Sequence, residues 1–367
     1  MELRNLRNWS FMRKININLF KRLTKRRERR KLRTLRGLRG GANKTLTKNH
    51  TYTDIIIPAI LDLNGNRSKL INLLNQIQDV ILNKKRFRID HREMKKITKE
   101  ALLLLTSEIE RCAKITKIKL KANYKLFPKD THILNLLNEI GYWDYFIMNS
   151  GKYKSKQNKQ DKLYLKIVGD TQISGEKIGK LIEFFEKLIN FERKTKDKFS
   201  DALMEAAANT VEHAYKEDKQ IPTIKKWWLT ASLNKNTNEI SFIFYDQGLG
   251  ILNTLEKTQK HIKLKRLVAG WINEGMSKGG ILKKLITSNL SSYKDERRGN
   301  GLISFKTFID EVESGELIIY TDDVSYNAIS DQINNYDDNL NGTLIVWKIK
   351  ANCNSDKCIY IKENNNG

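Results

Sequence analysis

Apolar residues recur along the chain with two different periods, and together they predict alternating helices and strands. Helical spacing predicts helices over 70–81, 102–109, 133–140, 173–191, 202–215 and 302–313. Dense apolar runs predict strands at 55–57, 59–61, 87–89, 163–168, 227–233, 240–245, 316–321 and 343–349. Strands that alternate with helices indicate an α/β protein, here an α+β two-layer sandwich.

Breaks in this pattern divide the chain. Residues 1–50 are a basic arm, 51–150 a smaller α/β domain, 151–162 a polar linker, 163–351 a second domain and 352–367 a polar tail. The Lys-, Gly- and Ser-rich stretch 252–298 is expected to be a long loop, and loops of that length inside a domain are usually functional.

Charge is concentrated at the N-terminus. The 367 residues carry a net charge of +26, and residues 1–44 hold 16 basic and 2 acidic side chains, net +14. Such density predicts an unstructured arm that contacts a polyanion, either nucleic acid or an anionic membrane. A solvated arm, a misassigned start codon and an organelle transit peptide are the alternatives.

The composition also limits the class of protein and its expected location in the cell. The longest apolar block, 101–105, is far shorter than a membrane span, and no apolar signal core opens the chain. Three cysteines make no disulfide framework and indicate a reducing compartment. A cytoplasmic protein is therefore expected. Cys353 and Cys358 supply too few ligands for a structural zinc.

The first candidate chemistry lies on the helix around residues 201–213, DALMEAAANTVEH. Glu205, Asn209 and His213 are each four residues apart, so they share one helix face. A glutamate can accept a proton from water or a hydroxyl, and an asparagine carbonyl can bind a hard cation such as Mg²⁺. Alone, this spacing is also common on ordinary exposed helices.

Three glycine motifs follow in the chain. Asp246-Gln247-Gly248-Leu249-Gly250 comes after a strand, and glycines there let a ligand approach the main chain. The run 297–302, RRGNGL, precedes a helix and offers backbone N–H groups and two arginines to a phosphate. Asn341-Gly342-Thr343 precedes the last strand. Each motif alone predicts only a turn.

In this order and spacing, the four motifs resemble the GHKL superfamily, whose Bergerat fold binds ATP in gyrase, mismatch-repair ATPases, the ninety-kilodalton heat-shock chaperones and histidine kinases. The resemblance covers about residues 162–350. It implies a Bergerat ATP-binding domain with ATP and Mg²⁺ as its cofactors. No histidine stands in the context expected of a phosphorylated dimerisation helix, which disfavours a two-component sensor.

The resemblance also assigns roles by position. Glu205 matches the general base and Asn209 the Mg²⁺ ligand, while Asp246 matches the acceptor for the adenine amino group. His213 matches a structural position, and residues 251–298 match a mobile ATP lid. The remaining ATP-binding positions are Gly248 and Gly250 at the adenine, Arg298, Gly299, Gly301 and Leu302 at the phosphates, and Thr343 near Asp246.

Within the superfamily, 205–218 and 296–314 look most like the anti-sigma-factor serine kinases, which phosphorylate a serine on a STAS-domain antagonist. Residues 53–145 resemble a divergent STAS domain, with 88–105 matching its strand–loop–helix core. Glu100 occupies the position of the phosphoacceptor serine, and Thr98 is the nearest hydroxyl. Glu100 is either a phosphoserine mimic or a plain surface glutamate.

These observations predict a regulatory ATP-binding protein with Mg²⁺-dependent ATPase or Ser/Thr kinase activity on a protein partner. The alternative is a non-catalytic, nucleotide-gated binding module tethered by its basic arm. The expected partners are ATP, a regulatory protein, a polyanion at residues 1–44 and a second copy of the chain in a homodimer.

Overall fold

The computed structural model describes residues 52–350, apart from residues 84, 174 and 313 and the segments 148–161, 187–191, 216–222, 258–261 and 289–300. The predicted basic arm and polar tail, nearly all of the predicted linker, and Arg297, Arg298 and Gly299 therefore lie outside the described residues.

The C-terminal half is built on an antiparallel sheet of five strands. Its strands are β5 (Lys162–Asp170), β6 (Trp227–Asn234), β7 (Glu239–Asp246), β8 (Gly315–Asn327) and β9 (Gln332–Lys350). They lie in the order β5-β6-β7-β9-β8. The Asn-rich turn between β6 and β7 closes the predicted hairpin, with Asn238 at a positive φ of 51°. Thr343 pairs directly with Asp246, so the ends of β7 and β9 meet.

Helices cover one face of this sheet. They are α4 (Gly175–Glu186), α5 (Arg193–Asn209) and α9 (Gly301–Asp310). Each overlaps a helix that the sequence pattern predicts, but α5 begins well before the predicted start at 202. Phe199 of α5 packs against Phe242 and Phe308, with ring centroids 4.3 and 4.8 Å away. Alternate residues of β6, β7 and β9 point into this layer, which positions the end of α5 beside the end of β7.

The N-terminal half contains short parallel strand pairs and three helices. Strand β1 (Thr53–Ile56) pairs with β3 (Phe87–Asp90), and β2 (Ile60–Leu61) pairs with β4 (Lys96–Ile97). The helices are α1 (Arg67–Leu82), α2 (Lys99–Thr116) and α3 (Thr131–Glu139). The predicted strand–helix alternation is present, and only the two-residue β4 is too short to leave a sequence pattern.

Helix α2 covers the second face of the large sheet. Trp228, Ile243 and Val346 point to this side and share a core with Leu102 and Leu105 of α2. The interior strands β6 and β7 are therefore buried on both faces.

Polar contacts also stabilise the interface between α2 and the large sheet. Glu110 of α2 accepts hydrogen bonds from Lys226 Nζ at 2.7 Å and from Trp228 Nε1 at 2.6 Å. Lys99 Nζ donates to Ser232 Oγ at 2.7 Å and to Ser241 Oγ at 3.0 Å. The mixed α/β class predicted from the sequence is thus confirmed.

The structure corrects the expectation of a long loop at 252–298. This stretch contains α6 (Ile251–Lys257), α7 (Ile262–Asn273) and α8 (Lys278–Thr287). A small core of their own holds them, formed by Leu252, Leu255, Val268, Trp271, Ile281 and Leu285. The high Lys, Gly and Ser content conceals this core in the sequence.

The last two strands are longer than predicted. They extend to Asn327 and begin at Gln332, so residues 322–342 form a ribbon that the sequence pattern does not show. The ribbon is stabilised by the N-terminal half: the Arg67 guanidinium lies 4.0 Å from the Tyr336 ring centroid and donates to the Asp322 carbonyl at 3.0 Å. None of the helices in the described part of the chain combines the length and apolar character needed to span a bilayer.

Candidate functional site

A cavity lies between the C-terminal end of α5, the end of β7, α6 and the first turn of α9. Most of the predicted site residues that the structure describes line it. They are Glu205, Asn209, Asp246, Gly250, Gly301, Leu302 and Thr343, with His213 beside them. Gly248 lies next to the cavity.

Helix α5 supplies one wall. Glu205, Asn209 and His213 share its inner face, and the helix ends in a π turn, Thr210–Ala214. Thr210 is fully buried and its hydroxyl donates to the Ala206 carbonyl at 2.9 Å. The side-chain Nδ2 of Asn209 is buried and finds no hydrogen-bond partner among the described residues. A buried amide without a partner costs about 1–3 kcal/mol, so this end of Asn209 is suited to bind a ligand.

The loop after β7 holds Asp246 in place. Asp246 is 6% exposed, and its Oδ1 accepts a hydrogen bond from the Gly248 backbone N–H at 2.6 Å. Leu249 N–H donates to the Ala214 carbonyl at 2.8 Å and ties the loop to the π turn. Gly250 has φ of +85°, and a Cβ there would lie 2.8 Å from the carboxylate of Asp322. This loop therefore requires glycine.

Helix α9 brings the phosphate motif to α5. A Cβ at Gly301 would overlap the Glu205 carboxyl group, so the Glu205 side chain lies against the backbone at the start of α9. The Gly301 carbonyl accepts a hydrogen bond from Ser304 Oγ at 2.6 Å. Arg298 and Gly299, the other predicted phosphate residues, lie outside the described part of the chain.

Apolar side chains form the rest of the cavity, and the sequence motifs do not reveal them. They include Phe244, Ile251, Leu255, Leu264, Leu285, Phe305 and Ile345. Phe244 is two residues before Asp246, so the alternation of a strand could have indicated it. Leu264 and Leu285 come from the stretch expected to be a loop, and no sequence signal ties them to this site.

Asp322 is a second residue that the motifs miss. It lies beneath Gly250, is 3% exposed, and accepts a hydrogen bond from Asn253 Nδ2 at 2.6 Å. Burial raises the pKa of its carboxyl group from 3.8 to about 6, against the opposing effect of Lys278. Asp322 supports the loop that carries Gly250 and does not line the cavity.

The enclosed volume is about 110 Å³. Pockets for small molecules usually measure roughly 300–1,000 Å³, so a nucleotide-sized ligand requires the walls to move apart. The charged side chains among the described lining residues are the carboxylates of Glu205 and Asp246. A polyphosphate would therefore need cations from a bound metal or from the segment 289–300.

Thr98 and Glu100 lie at the start of α2. They are the two residues to which the resemblance to a STAS domain drew attention. Thr98 is the N-cap, and its Oγ1 accepts a hydrogen bond from the Ala101 N–H at 3.3 Å. Glu100 lies in the first turn and is partly buried. The helix dipole stabilises a carboxylate in the first turn, and this stabilisation is sufficient to explain a glutamate at position 100.

No protein-family model matches the chain, and no curated protein matches it either.

Proposed function

We propose that the chain is an ATP-binding regulator of the GHKL type, with a Bergerat-like domain at residues 163–351 that acts on a protein partner. The observation that carries this function is the meeting of four separate sequence motifs. The motifs at 205–213, 246–250, 301–302 and 341–343 contribute residues to one cavity. Weak motifs that converge on one cavity support a shared ligand more strongly than any one of them does alone.

The residues present fit the chemistry of an adenine nucleotide. The Asp246 carboxylate can accept a hydrogen bond from the adenine amino group, and the Gly248 N–H holds that carboxylate in position. Phe244 and Ile345 offer apolar surface to a base. The unpartnered Nδ2 of Asn209 can donate to a phosphate oxygen. The carbonyl oxygen of the same amide can bind Mg²⁺.

The Glu205 carboxylate is the group suited to remove a proton. ATP with Mg²⁺ supplies an activated terminal phosphoryl group when bound. Glu205 lies one helical turn before Asn209 and against the start of α9. From there it can orient a water molecule or a hydroxyl and accept its proton at a carboxylate oxygen.

Nucleotide entry requires the cavity to widen. Three of its walls belong to α6, α8 and the start of α9, and a separate small core joins the helices α6–α8. Leu282 and Ile286 anchor α8 in the core of the large sheet, so the movement that opens the cavity is expected of α6 and α7. Such a movement corresponds to the lid expected at 251–298.

The proposed partner is a regulatory protein. It either carries the hydroxyl group that accepts the phosphate or binds differently to the ATP-bound and ATP-free forms of this chain. The N-terminal half is proposed to be STAS-like, with Glu100 at the acceptor position. Because Glu100 stands where the acceptor serine would be, we expect phosphate transfer to another chain rather than to this position.

Turnover of γ-labelled ATP with Mg²⁺ by the full chain tests this function. Glu205→Gln keeps the size of the side chain and removes the base, so the rate should fall roughly 10²–10⁴-fold while ATP affinity is retained. Glu212→Gln, on the π turn and outside the cavity lining, is the matched control and should keep the wild-type rate. Equal rates for Glu205→Gln and wild type would refute the assigned base.

Affinity measurements separate binding from catalysis. Asp246→Asn replaces the acceptor with a group that also donates, and ATP affinity should fall at least tenfold by calorimetry. No heat of binding with the wild-type chain would refute nucleotide binding altogether.

The second candidate is a nucleotide-gated module without turnover. The helices α6–α8, which share a small core beside the cavity, favour it. In that case ATP should bind and protect 251–298 from proteolysis, with no release of labelled phosphate. Deletion of residues 1–44 then shows whether the basic arm tethers the module to nucleic acid or to an anionic membrane.

A further inference from the structure

A second cavity lies in the N-terminal half and shares no residue with the first. It is bounded by β3, by the extended segment 118–123 and by the aromatic residues around 143–146, and its volume is about 480 Å³. This volume falls within the range of roughly 300–1,000 Å³ that is usual for small-molecule sites.

The rim of the second cavity is basic. Lys85, Arg86, Arg88, Lys119 and Lys121 line it, and no carboxylate of the described residues does so. Carboxylates outside the cavity lie beside two of these cations: Asp79 is 2.7 Å from Lys85 and Asp54 is 2.7 Å from Arg88. The rim as a whole keeps a positive potential that attracts anions.

The floor of the second cavity is aromatic. Phe127 and Trp143 stack with ring centroids 4.1 Å apart at 20°, and Phe146 lies 5.6 Å from Trp143. Trp143 is 5% exposed, and its indole Nε1 has no hydrogen-bond partner in the part of the chain that the structure describes. An indole N–H can only donate, so an acceptor on a ligand that reached it through a small shift of the ring would satisfy it.

His91 holds the floor in place. It is 2% exposed, its Nε2 lies 2.8 Å from the Tyr142 hydroxyl, and its ring contacts Trp143 edge-on at 5.1 Å. Burial lowers the pKa of His91 to about 4, so the ring is neutral at pH 7. The positive charge of the cavity therefore comes from the rim, and the interior is neutral and apolar.

Cations above an aromatic floor with an unpartnered N–H match a ligand with a planar ring, an acceptor atom and an anionic group. We propose that this cavity binds a small organic anion that joins an aromatic ring to a phosphate or carboxylate. The basic arm of the chain is unsuited as an occupant, because residues 1–44 carry a net charge of +14. The site does not depend on nucleotide binding in the first cavity.

Fluorescence titration of the full chain with anilinonaphthalene sulfonate, an aromatic anion, tests this site. Wild type should show one saturable site that Lys119→Glu/Lys121→Glu weakens at least tenfold. Both lysines are exposed, so the fold should persist, which circular dichroism can check. Lys125→Glu removes an exposed cation of the same half outside the cavity lining and should leave the affinity unchanged.

Trp143→Phe keeps an aromatic side chain, although a smaller one, and removes the indole donor, so the affinity should fall in this variant as well. Displacement of the probe then identifies the ligand chemistry. Phenyl phosphate and benzoate, an aromatic phosphate and an aromatic carboxylate, should displace it, and inorganic phosphate should not.

Three results would overturn the assignment. The first is equal probe affinity in wild type and in the double charge reversal. The second is displacement by inorganic phosphate as effective as by phenyl phosphate, which would mean a simple anion site. The third is displacement by an acidic extended peptide alone, which would make the cavity a docking groove for a protein.

Discussion

Asp322 makes the stability of this protein depend on pH in a direction opposite to that of most carboxylates. Its side chain is 3% exposed beneath the Gly250 loop and accepts a hydrogen bond from Asn253. Burial raises the pKa from 3.8 to about 6, so folding favours the protonated form. The variant that tests this is Asp322→Asn, which keeps the shape and the acceptor atom but cannot ionise.

The size of the effect follows from the shift. A rise of about two pKa units lowers the free energy of unfolding by about 3 kcal/mol at a pH above both the unfolded-state and the folded-state pKa. Because the folded-state pKa of Asp322 is raised, its stabilising contribution is complete below pH 3.8 and is lost as the pH rises through about 6. The wild-type chain therefore bears this cost at pH 7, and Asp322→Asn does not.

Denaturant unfolding of wild type and Asp322→Asn at intervals from pH 4 to pH 8 measures this cost. The two unfolding free energies should be similar near pH 4. Their difference should grow toward about 3 kcal/mol in favour of the variant at pH 7–8. Asp337→Asn, at an exposed position of β9, controls for the removal of one negative charge.

A difference between Asp322→Asn and wild type that stays constant from pH 4 to pH 8 would refute this reasoning. So would a variant that is less stable than wild type at pH 8. Either result would mean that the ionised carboxylate is well compensated by Lys278 and Asn253, and that the Gly250 loop depends on a charged Asp322.

The remaining predictions concern the backbone and the interface between the two halves of the chain. Gly342 has φ of +98° and a Cβ there would overlap the Asp246 carbonyl, so Gly342→Ala should cost about 2 kcal/mol or more by thermal unfolding. Gly179→Ala, in α4 with open space around it, should instead stabilise by about 0.5–1 kcal/mol; destabilisation there would contradict the helix assignment. Glu110→Gln leaves Lys226 without its carboxylate and should cost about 3–5 kcal/mol. The double variant Glu110→Gln/Lys226→Met should recover most of that loss in a double-mutant cycle, and simple additivity would show that the pair is not coupled.

Local pattern predicts much of the C-terminal half. The apolar stripe of α5 and the dense apolar runs of β6 and β7 are visible in the sequence because each element buries a regular set of its own residues. The asparagine-rich turn between β6 and β7 is equally local. Pattern fails for 252–287, where Lys, Gly and Ser residues between the apolar positions conceal the helices α6, α7 and α8.

The candidate site could be predicted in part. Glu205, Asn209 and Asp246 stand in motifs whose spacing is a property of one helix or one strand end. Leu264, Leu285 and Asp322 could not be found, because their place beside the loop and the cavity depends on how distant segments pack. The second cavity left no motif, since its rim and its floor come from separate segments between 52 and 146.

The sequence by itself determined which residues share a helix face or a strand end, because backbone geometry repeats every few residues. Only the tertiary structure decided that the Glu205 side chain lies against Gly301, and that α2 covers the second face of the sheet. These contacts join residues far apart in the chain. They form because β6 and β7 expose apolar side chains on both faces, and water is excluded only when helices from both halves pack against them.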